Sequence, residues 1–435
     1  MARDRGPTGA ARRDAPTTDT AVGAVGEPID EAKPAFVGRQ PIFDKRLDVF
    51  GYEVLFRSGR QNFFACGDGD QATRETINTS LNILGLNELV GGKKLFFNIT
   101  RRLLVDDFYT VLPERVAVVE LLETVEPDQE VVAACKRLRR NGYKLALDDF
   151  VFDARYRPLL EIADMVKIDF LASDHDACRA VIEAHQRPGL AFLAEKIETH
   201  EQFEEAITLG YGLFQGYFFC KPKVLEGRDI PGEKQRYLLL LQEVNAGDLD
   251  FDRLERVVKS DASISVKLLR YLNSAGVGLR QKITSIKQAL VLLGERPLRK
   301  WVSLLAMTGL SGDKPAELVR TSLVRGEFCE LMCADLNLKG RELDLFMLGL
   351  LSAIDALLDY PIEDVLAQLP VANDVKATLS GDSTNLAKVK MMALACERAD
   401  WGTACMLGKV LGVDRNRIAE AYGQSVRWAD EVMRI

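Results

Sequence analysis

Short apolar runs in the first half of the chain each end on a side chain able to do chemistry. VFGYE ends at Glu53, LFFN at Asn98, VAVVE at Glu120, KLALDD at Asp148 and Asp149, MVK at Lys167, LAFLAE at Glu195 and GLFQ at Gln215. Hard divalent cations such as Mg²⁺ or Mn²⁺ take oxygen ligands. Glu53, Asn98, Glu120, Asp148 and Asp149 are candidate ligands of that kind. Two such cations activate a water and steady both ends of an in-line phosphoryl displacement. Lys167 can pin the attacking water or a phosphate oxygen. Glu195, Glu123, Glu198 and Gln215 can serve as further ligand, base or support. One acid at a strand end is ordinarily a solvated boundary or a helix cap. Repetition over successive runs is not.

The runs are short and rich in Val, Leu and Phe, which reads as buried parallel strands. Helical spacing fills several of the gaps: 71–90, 128–142, 175–189 and 200–212, with Gly142 as a stop for the second. Repeated strand–helix units over this length predict an α/β TIM-like barrel, whose active face lies at the carboxyl ends of its strands. Such a barrel gathers the acids around one mouth. That is costly unless cations or a substrate sit there.

At 435 residues two domains are expected. Residues 1–35 hold almost no large apolar side chains and predict a disordered N-terminal tail; 36–225 form the barrel domain, and 226–435 an all-helical domain. The segment 223–235, KVLEGRDIPGEKQ, is polar with Gly and Pro and reads as the boundary region. Beyond it the apolar residues recur at helical spacing and no convincing strand appears. The net charge of −7 and pI near 5.4 argue against a broad nucleic-acid or anionic-membrane surface. None of the eight Cys forms a C-x-x-C pair, which suits reduced thiols. No secretory leader or membrane-spanning stretch is read, so a cytoplasmic location is expected.

The first domain resembles the EAL domain of cyclic di-GMP signalling proteins over roughly 36–222. EVLFR (53–57) stands where that family has E-A-L-L-R. FNIT (97–100), ELLE (120–123), LALDDF (145–150), VKID (166–169), AEKIET (194–199) and FQGYFFCKP (214–222) match its further motifs in order. The resemblance implies a barrel that binds cyclic di-GMP and, in active members, hydrolyses it to linear pGpG with Mg²⁺ or Mn²⁺. Metal ligands then fall on Glu53, Asn98, Glu120, Asp148 and Asp149, and the water-holding lysine on Lys167. The catalytic and supporting glutamates fall on Glu195, Glu198 and Glu123. Gln215 and the phosphate-binding Arg57 complete the set.

There are departures. Val54 replaces the Ala of E-A-L, and Val151 the Gly after D-D-F. The next loop, VFDARYRPL with Pro158, is bulkier than the family's. Lys196 replaces a Gly, and strand alternation predicts that it points away from Glu195. The second domain resembles the HDOD domain over 226–420, a helical relative of HD phosphohydrolases. No His follows His200, and Ser352 and Ala353 stand where a His-Asp doublet would be, so metal-dependent HD hydrolysis is not expected there. The residues admit two readings: a cyclic di-GMP phosphodiesterase with a regulatory helical partner, or a non-catalytic receptor or scaffold. An unidentified protein partner at the HDOD domain is expected in either, and a homodimer is admitted.

Overall fold

The computed structural model describes residues 36–57, 90–150, 153–223, 230–247, 249–259 and 294–434, with positions 264–267, 273, 283, 285 and 288 besides. The expected tail and most of the expected helix at 71–90 lie outside the described residues, as do the side chains of 36, 37, 56 and 57.

Eight strands close into a barrel in sequence order: β1 (Phe36–Asp44), β2 (Val49–Arg57), β3 (Lys94–Ile99), β4 (Ala117–Leu121), β5 (Lys144–Leu147), β6 (Met165–Asp169), β7 (Ala191–Glu195) and β8 (Leu213–Gln215). From β2 to β8 neighbouring strands are parallel. β1 is antiparallel to both β2 and β8, so the barrel is not the all-parallel one expected. The reason is the short polar turn Asp44–Asp48. Asp44 Oδ1 accepts from the amides of Arg46 and Asp48, which leaves no room for a crossover and forces a hairpin.

Strand alternation then stacks the interior in two layers. Ile42, Phe96, Val118, Ala146, Met165, Leu193 and Leu213 fill the lower layer as one apolar cluster. Two residues further along each parallel strand, the same inward parity delivers Asn98, Glu120, Asp148, Lys167, Glu195 and Gln215. Gly51 holds the equivalent lower position on β2, below Glu53. A Cβ on Gly51 would lie 2.8 Å from both Lys94 O and Phe96 Cε2, so Phe96 fills the space a larger residue would claim. Outward parity delivers Leu95, Phe97, Val119, Leu145 and Val166 to the core beneath the helices.

Helices α1 (Gln129–Arg140), α2 (His175–His185) and α3 (His200–Leu209) return the chain between strands. α1 buries Val131, Ala134, Cys135 and Leu138, one stripe at helical spacing. Each large apolar side chain buried there contributes about 1.5–3 kcal/mol. Asp128 caps it by accepting from Val131 N, and Gly142 follows its end at φ +89°. α3 opens on a capping box, with Thr199 and Gln202 bonding reciprocally, and closes on Gly210 at φ +105°.

From Gly232 onward the described elements are helical. The principal ones are α4 (Gly232–Asn245), α5 (Glu295–Leu310), α6 (Ala316–Asp335), α7 (Glu342–Leu350), α8 (Asn385–Glu397), α9 (Trp401–Leu411) and α10 (Arg415–Met433). Part of the polar boundary segment, GEKQ, lies inside α4, where Pro231 sets the first turn. α6 is buried on nearly every face, and α7 crosses it closely. A Cβ on Gly349 would sit 2.2 Å from the Arg325 carbonyl carbon. The stretch 343–358 is not one helix: it breaks into a 3₁₀ turn at Leu351–Ala353, where Ser352 Oγ donates to Gly349 O. α8 and α10 pack against β1. Among those residues no single helix is long and apolar enough to cross a membrane. One bent pair, Glu342–Leu358 with Ile362–Gln368, passes by length and composition only, with a 120° bend.

Candidate active site

The upper interior layer is a buried polar cluster centred on Lys167. Its ammonium, on a side chain only 1% exposed, lies 3.1 Å from Glu53 Oε2, 2.8 Å from Glu120 Oε1, 2.7 Å from Asp148 Oδ1 and 3.0 Å from Glu195 Oε1. Asn98 Nδ2 donates to Glu53 Oε1 at 3.2 Å. Gln215 Nε2 donates to Glu53 Oε2 at 2.8 Å and to Gln40 Oε1 at 2.9 Å. The structure thus brings together Glu53, Asn98, Glu120, Asp148, Lys167, Glu195 and Gln215.

Three other sequence candidates stand apart. Asp149 has left-handed backbone (φ +40°), and its carboxylate turns to the rim, 3.7 Å from Lys196 Nζ. Glu123 is exposed, and its carbonyl accepts from Tyr156 OH. Glu198 is exposed, with its carboxylate 3.7 Å from Lys221 Nζ. The side chain of Arg57 lies outside the described residues. Two clefts meet at the rim and share Glu123, Asp149 and Phe150. One, of about 600 Å³, also takes in Asp169 and Cys178; the other, of about 260 Å³, also takes in Asp148, Arg155 and Tyr156. Lys196 does not follow simple alternation. At φ +59° it leaves the strand geometry, and its ammonium crosses the rim to Asp169 Oδ2 at 2.5 Å.

Four carboxylates face one ammonium, so the charges do not balance. Burial, then the Glu53 charge, raises the Glu120 carboxyl well above the usual range, and burial raises Asp148. Burial also pushes Glu195 up to about 8, against the pull of Lys167. Glu53 goes the other way. Burial would raise it, but Lys167, Gln215 and Asn98 together hold it below its ordinary value. Burial would lower Lys167, yet the surrounding acids drive it well up. Without more positive charge, the cluster keeps protons on some of its acids.

The donor set suits a hard cation. Glu120 Oε1 is met by the Lys167 ammonium, but among the described residues no donor reaches the buried Glu120 Oε2, Glu195 Oε2, Asn98 Oδ1 or Gln215 Oε1. These are oxygen atoms, the type Mg²⁺ and Mn²⁺ take. Among the described residues no three His, Cys, Asp or Glu side chains are already spaced as a metal cage; the acids close on Lys167 instead.

Sequence reasoning missed Gln40, which shares the Gln215 amide with Glu53. Gln40 is the register partner of Glu53 across the β1–β2 hairpin, which is the pattern that could have found it. It also missed how the helical region grips the barrel. Tyr52 OH donates to Glu317 Oε2 at 2.7 Å, Arg39 pairs with Asp430 at 3.4 Å, and Tyr217 OH donates to Glu397 O at 3.1 Å. Where a His-Asp doublet would stand, Ser352 Oγ accepts from Arg325 Nη1 at 3.1 Å. The same buried guanidinium forks onto Glu397 at 2.7 and 2.8 Å.

Comparison with known proteins places these features in a lineage. The EAL domain family matches residues 65–222 and the HDOD domain family 230–374. The chain is 35% identical over 403 residues to the cyclic di-GMP phosphodiesterase CdgJ of Vibrio cholerae serotype O1, covering 92% of this chain and 93% of that protein. It is 34% identical over 407 residues to YuxH of Bacillus subtilis (strain 168), covering 92% and 98%. Among solved structures, BlrP1 of Klebsiella pneumoniae is 24% identical with a TM-score of 0.38; the match covers 43% of this chain and 55% of that one. With both domains in this order and such identity over nearly the whole length, the chain belongs to the family of proteins that join an EAL domain to an HDOD domain.

Proposed function

We propose that the barrel mouth binds cyclic di-GMP and hydrolyses one of its phosphodiester bonds to give linear pGpG, and that the helical region takes no part in the chemistry. The observation that carries this reading is the buried layer of four acids around Lys167, with acceptor oxygens still unfilled. As pure scaffold, such a layer is weaker than packed apolar residues would be. The Vibrio relative, named as a cyclic di-GMP phosphodiesterase, supports the same reading. For this purpose we divide the chain into barrel and helical domains at 225/226. We place the protein in the cytoplasm, with a protein partner engaging the helical domain.

Divalent cations, Mg²⁺ or Mn²⁺, would be held by Glu53, Asn98, Glu120 and Asp148, with Asp149 offered from the rim, and when bound would supply Lewis acidity at the phosphate. The chain's own groups do the rest. Burial and the acids fix the Lys167 ammonium, so it can hold the attacking water or a phosphate oxygen with little reorganisation. Glu195 has an unfilled oxygen at the mouth and, once ionised by the added positive charge of bound cations, can take a proton from that water. The water oxygen bonds to phosphorus, one ester P–O bond breaks, and the departing ribose oxygen takes up the proton that Glu195 removed. Gln215 and Arg57 are assigned to the nucleotide, with Glu123 and Glu198 as supporting groups at the rim.

The test is direct. Purified protein is incubated with cyclic di-GMP and Mn²⁺, and the products are separated by chromatography. pGpG is expected from the wild type and at most a trace from Lys167→Ala. Nucleotide binding without pGpG would refute hydrolysis and make the chain a receptor.

A further inference from the structure

The polar trio at one side of the mouth is Gln40, Glu53 and Gln215, joined through the Gln215 amide. In a strand, successive side chains face opposite ways. The residues beside the trio therefore face outward, and it is these that the helices hold. Arg39 precedes Gln40, and Tyr52 precedes Glu53. Tyr217 lies past the end of β8, where alternation no longer applies, beyond Gly216, whose Cβ would lie 1.9 Å from Ile197 O.

Tyr52 is gripped most tightly. The Arg39 guanidinium lies 4.5 Å from its ring centroid and that of Arg320 lies 5.8 Å away. Its hydroxyl donates to Glu317 on α6. Arg320 Nε donates to Asp430 on α10 at 2.6 Å, and Arg39 pairs with the same carboxylate. At Tyr217, the hydroxyl is held by the Glu397 carbonyl and the Arg398 guanidinium lies 5.1 Å from the ring centroid. Each grip is a directional polar contact, which fixes position in a way that apolar packing alone does not.

We propose that Tyr52 is a positioning residue: α6 and α10 hold it from outside the barrel and thereby set where Glu53 stands inside. This rests on the hydrolase reading of the mouth. Anything that shifts α6 or α10 moves one ligand of the candidate cation site by way of one residue of strand. Removing the helices altogether would strip the outer cover of β1, so the coupling is tested in the full chain.

The variants are Tyr52→Phe and Arg320→Gln, with Arg341→Gln as control, because the Arg341 partners Asp344 and Asp374 both lie in the helical region. The first readout needs neither metal nor nucleotide. In ¹⁵N-glutamine-labelled protein, the Gln215 side-chain amide is identified with Gln215→Glu, and its resonances are compared. They should move in both test variants and stay in place in the control. The second readout is Mn²⁺ affinity by calorimetry, expected to fall about three- to tenfold, which is what one lost hydrogen bond can transmit. Unmoved Gln215 signals in folded Tyr52→Phe and Arg320→Gln proteins would overturn the proposal, whatever happens to their melting temperatures. If the wild type takes up no Mn²⁺, the hydrolase reading fails instead, and the amide resonances alone decide the positioning of the trio.

Discussion

Replacing Lys167 by Met should expose how the buried acids are compensated. The ammonium lies 2.7 to 3.1 Å from four carboxylates. At an effective dielectric near 20, each ionised pair at that distance attracts by about 6 kcal/mol. The sum is not what the variant loses. Desolvation and repulsion among the acids offset most of it, which is why Glu120, Asp148 and Glu195 are already pushed up. Breaking a buried pair from one side costs about 3–5 kcal/mol, and protonation of an acid lowers that cost. The sign follows. Losing the ammonium raises the folded-state values further, so the stability of the variant is retained at low pH and lost as pH rises through them. In chelator, the melting temperature of Lys167→Met should therefore fall below wild type by clearly more at pH 8 than at pH 5. Added Mn²⁺ should recover part of the loss at pH 8. Turnover of cyclic di-GMP should drop about 10²–10³-fold, the usual cost of deleting a group that stabilises charge in the transition state. Equal melting temperatures for wild type and variant at pH 8 would refute the reasoning, because the ammonium would then compensate nothing.

Glu195→Gln should cut turnover at least about 100-fold while nucleotide affinity stays within severalfold, measured by product chromatography and calorimetry. Glu317, which burial raises from 4.5 to about 7, binds a proton in the native state that the unfolded chain gives up earlier. Native stability should therefore decline between those values, and Glu317→Gln should remove about 3 kcal/mol of that slope in denaturant titrations at pH 5 and pH 8. Arg325→Met leaves Glu397 buried without its guanidinium and should cost about 3–5 kcal/mol in the same titrations.

The barrel interior was legible because it depends on a local rule. Inward parity carries an apolar residue and then, two places on, a polar one, so reading where each run ends amounts to reading the upper layer. The rule stops where the backbone leaves the strand region. Asp149 and Lys196, at φ +40° and +59°, turn to the rim, and alternation has no say over either. β1 is not among the runs that read as strands, although the polar turn after it carries a hairpin signature. The grip on the barrel was illegible for another reason. Arg39 and Asp430 stand 391 residues apart, and Tyr52 and Glu317 stand 265 apart.

On sequence alone, Glu317, Arg320 and Arg325 look like the solvated stripe of an amphipathic helix. They are buried because the helix lies between a barrel and other helices. Two positions did carry a clue. In a barrel strand the outward face ordinarily meets apolar helix surface, yet β1 offers Arg39 outward, and β2 offers Tyr52 with a hydroxyl to satisfy. A buried guanidinium demands a carboxylate. Arg39 finds one in Asp430 of the last helix. The charge pattern of the first two strands therefore already called for polar partners on their outward faces. In this chain the helical region supplies them on the face directly behind the candidate site.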